Sequence, residues 1–140
     1  MDDITVRKAE SCEMESVREL FETVFKETFS DNVPAFEEET AGEKIYVALL
    51  DNKIVGMASV WEPDNFIHYL FVAPAFRNKN IGNTLVVRLA KLYGSPLTLK
   101  CLLKNVKAMA FYRFTGWQEI ETGVCEDGEY ALLCYNVLSK

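Results

Sequence analysis

The sequence has few of the residues from which metal centres and disulfide frameworks are built. Its one histidine is His68, which excludes a zinc-protease motif that needs two histidines. Four cysteines are present, but no two are spaced as in a CxxC pair and none shares a ligand spacing with the histidine. We therefore expect free thiols in a reducing compartment rather than a metal site or disulfides. The four are Cys12, Cys101, Cys125 and Cys134.

Long apolar segments are also absent. No run approaches the ~18 apolar residues that a membrane span needs, and no basic segment followed by an apolar one opens the chain. We therefore expect a cytoplasmic protein without a membrane partner. The 140 residues are expected to form one domain, 1–140, which is long enough to bury a core of its own.

Acidic residues are missing from residues 65–118, although the whole chain has 21 acidic and 15 basic residues. That segment carries eight basic residues, whereas residues 1–64 carry 16 acidic and six basic ones. The overall net charge of −6 argues against nucleic acid as a partner. The clustered positive charge nevertheless predicts a local site for an anion. A solvated basic face is the alternative that charge alone leaves open.

The hydrophobic pattern predicts an α/β (α+β) fold with a mixed, mostly antiparallel central sheet and helices on both faces. Asp51-Asn52 and Asp127-Gly128 have the composition of hairpin turns. In chain order, the predicted elements are a strand at 3–8, a helix capped by Ser11, a short helix at 34–42, strands at 45–50, 53–61 and 66–72, a helix with Ile81, Leu85, Leu89 and Leu92 on one stripe, a strand at 97–102, a helix at 105–115, and a hairpin of strands at 117–122 and 130–137.

The segment 67–94 combines a strand, a polar loop and a helix. The strand ends at Pro74, and a loop rich in Arg, Asn, Lys and Gly leads directly into the helix. Backbone N–H groups of such a loop and of a helix start can together hold a phosphate. Neither a Walker A loop nor a dinucleotide fingerprint is present, because no Gly-Lys-Ser/Thr occurs and Gly82 is the one glycine available.

This segment resembles motif A of the GNAT superfamily (GCN5-related N-acetyltransferases). That motif is an apolar strand ending Val-x-Pro, then Arg/Gln-x-x-Gly-x-Gly/Ala at the start of a helix. Val72, Pro74, Arg77 and Gly82 match it. Asn80 occupies the place of the first glycine, and asparagine is the non-glycine residue that best tolerates a positive φ.

The segment 105–120 resembles motif B of the same superfamily, Asn-x-x-Ala-x-x-Phe/Leu-Tyr-x-x-x-Gly-Phe. The matching residues are Asn105, Ala108, Phe111, Tyr112 and Gly116, and Trp117 replaces the last Phe. The two motifs occur in the family order with one predicted strand between them. The resemblance covers residues 45–122 well.

The resemblance implies the GNAT fold and an N-acetyltransferase that uses acetyl-CoA as its co-substrate. It implies that backbone groups of Leu70, Phe71 and Val72 bind the pantetheine arm and polarise the thioester. The pyrophosphate would be held by the backbone of Arg77, Asn78, Lys79, Asn80, Ile81, Gly82 and Asn83, with charge from Arg77 and Lys79. Asn105 would also bind the pantetheine, and Tyr112 would be the acid that protonates the leaving thiolate.

These residues also have structural explanations. Asn105 could be a helix cap, Tyr112 a core residue and Gly82 a point of close packing. His68 is expected to share a strand face with Leu70 and Val72 and is a candidate general base, as in some arylalkylamine acetyltransferases that resemble this pattern. A lone histidine in a strand is, however, more often structural.

The expected acceptor is a primary amine of a small molecule, attacked directly in a ternary complex. A cationic acceptor is favoured because residues 1–64 carry a net charge of −10. Two alternatives stay open: acetylation of a protein or peptide N-terminus, and a non-catalytic module that binds coenzyme A for regulation. A homodimer is also left open.

Overall fold

A computed structural model describes residues 3–94 and 96–136. Its strands and helices lie close to the predicted positions. The strands are β1 (Ile4–Lys8), β2 (Lys44–Leu50), β3 (Lys53–Trp61), β4 (Phe66–Val72), β5 (Leu97–Leu102), β6 (Gln118–Cys125) and β7 (Gly128–Tyr135), and the helices are α1 (Met14–Thr28), α2 (Phe36–Glu39), α3 (Ile81–Tyr93) and α4 (Val106–Phe114).

The described strands form one sheet in the order β1-β2-β3-β4-β5-β7-β6. Neighbouring strands are antiparallel except β4 and β5, which are parallel and are connected through α3. A parallel pair needs such a crossover, because its strands cannot be joined by a tight turn. The predicted α/β fold with a mixed, mostly antiparallel sheet is confirmed.

Helices cover both faces of the sheet. Alternate residues of a strand point to opposite faces, and six of the seven residues of β2 are buried. Ile45, Val47 and Leu49 lie in a core with the buried stripe of α1. The intervening residues of β2 lie in a second core with α3 and α4. The predicted two-faced packing is therefore confirmed.

Turn residues have the backbone conformations that their types suggest. Asp51 and Asn52 both have positive φ, 53° and 63°, as the two-residue hairpin between β2 and β3 requires. Gly94 has a φ of 68° and ends α3 in the left-handed conformation. The last hairpin turns at residues 126–127, and Gly128, with a φ of 125°, is the first residue of β7.

The start of α1 differs from the prediction. Ser11 does not cap the helix, because residues 11–13 form a 3₁₀ turn before it. The Glu13 carboxylate accepts a hydrogen bond from the Glu10 N–H at 2.8 Å and pairs with Arg7 of β1 at 2.8 Å. These bonds fix the chain entering α1 without a serine cap.

The length of helix α2 also differs from the prediction. It is a single turn rather than residues 34–42, because the Ala41 N–H bonds to Glu38 O, three residues back, at 3.5 Å, and Gly42 then adopts a φ of 80°. On the predicted stripe of α3, Ile81, Leu85 and Leu89 are buried, whereas Leu92 is 62% exposed. The end of α3 lies beside β1, which is an edge strand of the described sheet. Residue 137, predicted in the closing strand, lies outside the described residues.

The four cysteines are free. In the described part of the chain, no group of three or more His, Cys, Asp or Glu residues is placed to hold a metal ion. Across 3–94 and 96–136, no helix has the length and apolar character needed to cross a membrane.

Candidate active site

A cleft opens where β4 and β5 separate. The two parallel strands share one register pair, Phe66 with Thr98, and the Thr98 N–H donates to Asn65 O at 3.1 Å. Beyond it, the described residues of the two strands are not paired, so the strands diverge toward their carboxyl ends. In sheets of this kind, ligands bind in the crevice at the carboxyl ends of strands, where neighbouring connections diverge.

The edge of β4 that faces this cleft carries backbone groups that are not paired with another strand. Ala73 N–H donates to Val55 O of β3 at 2.9 Å, so the alternation of a strand directs the backbone of Val72 and Leu70 away from β3, into the cleft. Phe71 differs from the expectation for residues 70–72. The same alternation turns its backbone toward β3, and its ring packs 5.8 Å from that of Phe21.

The loop before α3 forms the end of the cleft. Asn78 and Asn80 both have a φ of 65°, so Asn80 adopts the left-handed conformation expected where the motif has glycine. The first helical bond of α3 is from Thr84 N–H to Asn80 O, at 3.0 Å. Within the described chain, the N–H groups of residues 81–83 have no partner, and no side chain caps them. This arrangement is a ready site for an anion.

Gly82 lies at a close approach between α3 and its neighbours. A Cβ at this position would lie 3.2 Å from Phe111 Cζ and 3.6 Å from Val72 Cγ2. The neighbouring Ile81 is fully buried in the core. The absence of a side chain at Gly82 therefore permits close packing, with Phe111 of motif B directly against the start of α3.

Arg77 is held by α1. Its guanidinium forms two hydrogen bonds to Glu27, at 2.9 and 2.7 Å, and its Nε donates to Val72 O at 3.3 Å. Arg77, and secondarily the charge of Lys107, lower the pKa of Glu27. The pair is exposed, and such pairs typically stabilise a protein by only ~0–1 kcal/mol. A phosphate could therefore compete for Arg77 at little cost, while Lys79 is exposed beside it.

The two polar residues of motif B occupy different surroundings. The Asn105 side chain caps α4 by accepting a hydrogen bond from Ala108 N–H at 3.3 Å. Its NH₂ group has no partner among the described residues. Tyr112 is 9% exposed, and its ring lies 5.4 Å from that of Trp117. Burial raises the pKa of Tyr112, so its phenol is protonated at neutral pH.

His68 does not lie where the sequence suggested. In the register of β3 and β4, Ser59 pairs with Tyr69 and Val60 with Ile67, so His68 is an extra residue in a β-bulge. The expectation that it shares a face with Leu70 is wrong, because the bulge breaks the alternation. Its ring instead stacks on Tyr69 with the centroids 4.2 Å apart.

Two carboxylates surround His68. Its Nδ1 lies 2.9 Å from Glu43 Oε2, and its Nε2 lies 3.9 Å from Glu39 Oε1. The hydroxyl of Ser59 donates to the other oxygen of Glu43, and the hydroxyl of Tyr69 donates to Glu39. Burial and the hydrogen bond to Glu39 raise the pKa of Tyr69, so its phenol stays a donor.

Comparison with known proteins decides the family. A sequence model of the acetyltransferase (GNAT) family matches residues 14–117, which is most of the chain. The chain belongs to this family. Among curated proteins, none matches its sequence.

Solved structures agree with this GNAT assignment at the level of the fold. A GCN5-related N-acetyltransferase from Rhodopseudomonas palustris has a TM-score of 0.76 at 20% identity, over 98% of each chain. The PaiA N-acetyltransferase from Thermoplasma acidophilum, in complex with coenzyme A, has 0.74 at 15%, over 94% of this chain and 98% of that one. A ribosomal-protein-alanine N-acetyltransferase from Brucella melitensis has 0.73 at 17%, over 95% and 99%.

The two GNAT motifs are thus in contact where Phe111 lies against Gly82, whereas the partners of His68 lie outside both motifs. Sequence reasoning missed Glu43 as a partner of His68, since 25 residues separate the two and no local spacing relates them. The one available signal was that Glu43 immediately precedes β2, two strands from β4 in the sheet.

Proposed function

We propose that this GNAT protein transfers the acetyl group of acetyl-CoA to a primary amine of a small molecule, by direct attack in a ternary complex. The observation that carries the proposal is the cleft between β4 and β5. It offers backbone groups of β4 that are not paired with another strand, and it ends at the start of α3. An extended arm with amides followed by a pyrophosphate is complementary to such a surface, because strand edges bind amides and helix starts bind phosphates.

Each part of the cleft has a role in this proposal. The backbone groups of Leu70 and Val72 bind the amides of the pantetheine arm, and the NH₂ group of Asn105 donates to it. The loop 77–80 and the N–H groups of 81–83 hold the pyrophosphate. The coenzyme A complex of the Thermoplasma relative supports this use of the fold.

Acetyl-CoA supplies an acetyl group already activated as a thioester. N–H groups of β4 directed into the cleft are donors for the negative charge that develops on the carbonyl oxygen. Tyr112 is protonated at neutral pH and donates to the departing sulfur. The chain therefore contributes orientation, charge stabilisation and one proton on the donor side.

We propose a cationic acceptor that approaches from the side of α2. The excess of acidic residues in 1–64 would attract a cation, and Glu39 beside His68 is about one third exposed. The Brucella relative acts on a protein, which makes an N-terminal peptide the competing acceptor. The four free thiols support a reducing compartment, and we propose the cytoplasm as the place of the reaction.

Thiol release from acetyl-CoA across a panel of acceptors tests this function. The panel contains diamines, neutral amines, acidic amino acids and peptides with free N-termini. We expect amine-dependent release that is fastest with cationic small molecules. Preference for peptides would replace the small-molecule acceptor, and preference for acidic amino acids would refute the cationic one. Tight coenzyme A binding without release for any amine would indicate a regulatory module instead.

A further inference from the structure

Ser59, Glu43 and His68 form a hydrogen-bonded row that runs from the core to the surface. Ser59 is fully buried, the Glu43 side chain is 8% exposed, and that of His68 is 33% exposed. A nearly buried carboxylate is costly unless both of its oxygens are satisfied. Ser59 satisfies one oxygen of Glu43 and His68 the other, so the position of Glu43 is tightly determined.

This contact decides which nitrogen of the histidine carries a proton. An ionised carboxylate has no hydrogen to give, so Nδ1 must be the donor to Glu43. The lone pair of the neutral ring is then on Nε2. Nε2 lies 3.9 Å from Glu39, which is too far for a hydrogen bond. Nε2 is therefore available to a ligand at the exposed end of the row.

We propose that Glu43 is a positioning residue that holds His68 with Nε2 ready to take a proton from the acceptor amine. This rests on the function proposed above and extends it to the acceptor side. Nε2 takes one proton from the ammonium group and later gives it to solvent. The freed nitrogen forms a bond to the acetyl carbon as the C–S bond breaks. The new amide nitrogen then loses a second proton, which replaces the one that Tyr112 gave to the thiolate.

The first test needs no variant and no acceptor. His68 is the one histidine in the chain, so ¹⁵N NMR of histidine-labelled protein reports its ring nitrogens without ambiguity. We expect the neutral ring to carry its proton on Nδ1. In Glu43→Gln this preference should weaken, because the amide can also donate to the ring. A neutral ring protonated on Nε2 in the unmodified protein would overturn the proposal, whatever reaction the protein performs.

The second test uses kinetics with the best amine of the panel. We expect His68→Gln to lower kcat by on the order of 100-fold or more, as for loss of a positioned base. Glu43→Gln should lower kcat by about tenfold or more and add little to the loss in the double variant, because both act through one group. Glu38→Gln removes the same charge from exposed α2 and should leave kcat unchanged.

Two readouts together separate positioning from a structural role. The groups facing His68 are Glu43 before β2, Glu39 of α2 and Tyr69 of β4. A merely structural role would lower kcat in Glu43→Gln without changing the ring tautomer, whereas positioning predicts that the weaker preference for Nδ1–H and the lower kcat occur together. Independent, additive losses in the single and double variants, or a wild-type rate in Glu43→Gln, would overturn the proposal. Absence of turnover with every amine would refute the proposed function and leave the tautomer result standing.

Discussion

Residues 1–64 and 65–118 contribute opposite kinds of chemistry to one fold. The second segment has no carboxylate and meets the cleft mainly with backbone groups, the start of α3 and exposed bases. The first segment supplies Glu43, which holds the histidine of β4, and Glu39, which accepts a hydrogen bond from the neighbouring Tyr69. Under the function proposed above, this difference would be a division of labour, in which an anionic donor and a cationic acceptor each approach a surface of opposite charge.

Besides the pairing of β3 with β4, the two segments are joined by the ion pair between Glu27 of α1 and Arg77. This pair lies at the mouth of the cleft, where Lys107 also approaches Glu27. Because the pair is exposed, it does little to hold the two segments together. The division is therefore one of chemistry within a single sheet, and variants in the two segments should affect different substrates.

Loss of the Tyr112 hydroxyl should have the largest effect on the donor side. We expect Tyr112→Phe to lower kcat by on the order of 100- to 10,000-fold. Coenzyme A affinity should change by less than about threefold, because the hydroxyl acts mainly in the transition state. Steady-state kinetics and calorimetry measure the two quantities.

Tyr135→Phe is the matched control for this variant. Tyr135 is also buried, with its ring 5.5 Å from that of Trp117. The Tyr135→Phe variant should leave kcat within about threefold of that of the unmodified protein. A similarly small effect of Tyr112→Phe, with the chemical step rate-limiting, would remove Tyr112 as the acid. Parallel losses of rate, binding and melting temperature would show a core tyrosine instead.

Crowding at the start of α3 should affect coenzyme A binding next most strongly. In Gly82→Val the new side chain meets Phe111 and Val72, and such overpacking costs ~1–3 kcal/mol. We expect at least about tenfold weaker binding by calorimetry, with a smaller loss in Gly82→Ala. Binding like that of the unmodified protein in both variants would mean that the pyrophosphate is not held there.

Removing one exposed positive charge should weaken coenzyme A binding modestly when the charge lies in residues 65–118 and should not weaken it when the charge lies in residues 1–64. Exposed charge pairs typically contribute ~0.2–1 kcal/mol, so Lys79→Gln should weaken coenzyme A binding by about two- to fivefold at low salt. Added salt should shrink this difference. Lys44→Gln removes the same charge at the start of β2 and should have no such effect. Equal effects of the two variants would contradict the local anion site.

Acid should lower the stability of the protein through an ion pair in the first segment. This is the smallest of the expected effects. The Arg7 guanidinium lowers the pKa of Glu13 from 4.5 to about 2. A carboxylate whose pKa is lower in the folded than in the unfolded protein stabilises the fold at pH values above the unfolded pKa. This stabilisation is lost as the pH falls toward the folded pKa. The melting temperature should therefore fall between pH 4.5 and 2, and less steeply in Glu13→Gln. An identical pH dependence in the two proteins would exclude this pair as a source of acid sensitivity.

Much of the donor side could be predicted because it is encoded locally. The strand 66–72, the helix cap at Asn105 and the positive φ of Asn80 follow from short patterns and from the conformational freedom of single residues. For Gly82 the sequence suggested close packing but not its partner, Phe111. The partner depends on how α4 lies against α3.

The acceptor side could not be predicted because it depends on strand register. The bulge at His68 exists only through the pairing of β4 with β3, and it reverses the face that simple alternation assigns to the histidine. Glu43 reaches His68 across the sheet from a distant part of the chain. Neither contact has a signature in the residues that surround it in the sequence.

Amide hydrogen exchange with and without coenzyme A tests the division of labour between residues 1–64 and 65–118 most directly. Exchange slows where an unpaired N–H gains a partner or local opening is suppressed. Our account predicts slower exchange at Leu70, Val72 and residues 77–83 when coenzyme A binds, with no change in residues 36–44. Slowed exchange in residues 36–44, or unchanged exchange at 70–83 despite binding, would contradict the assignment of the donor to the acid-free segment.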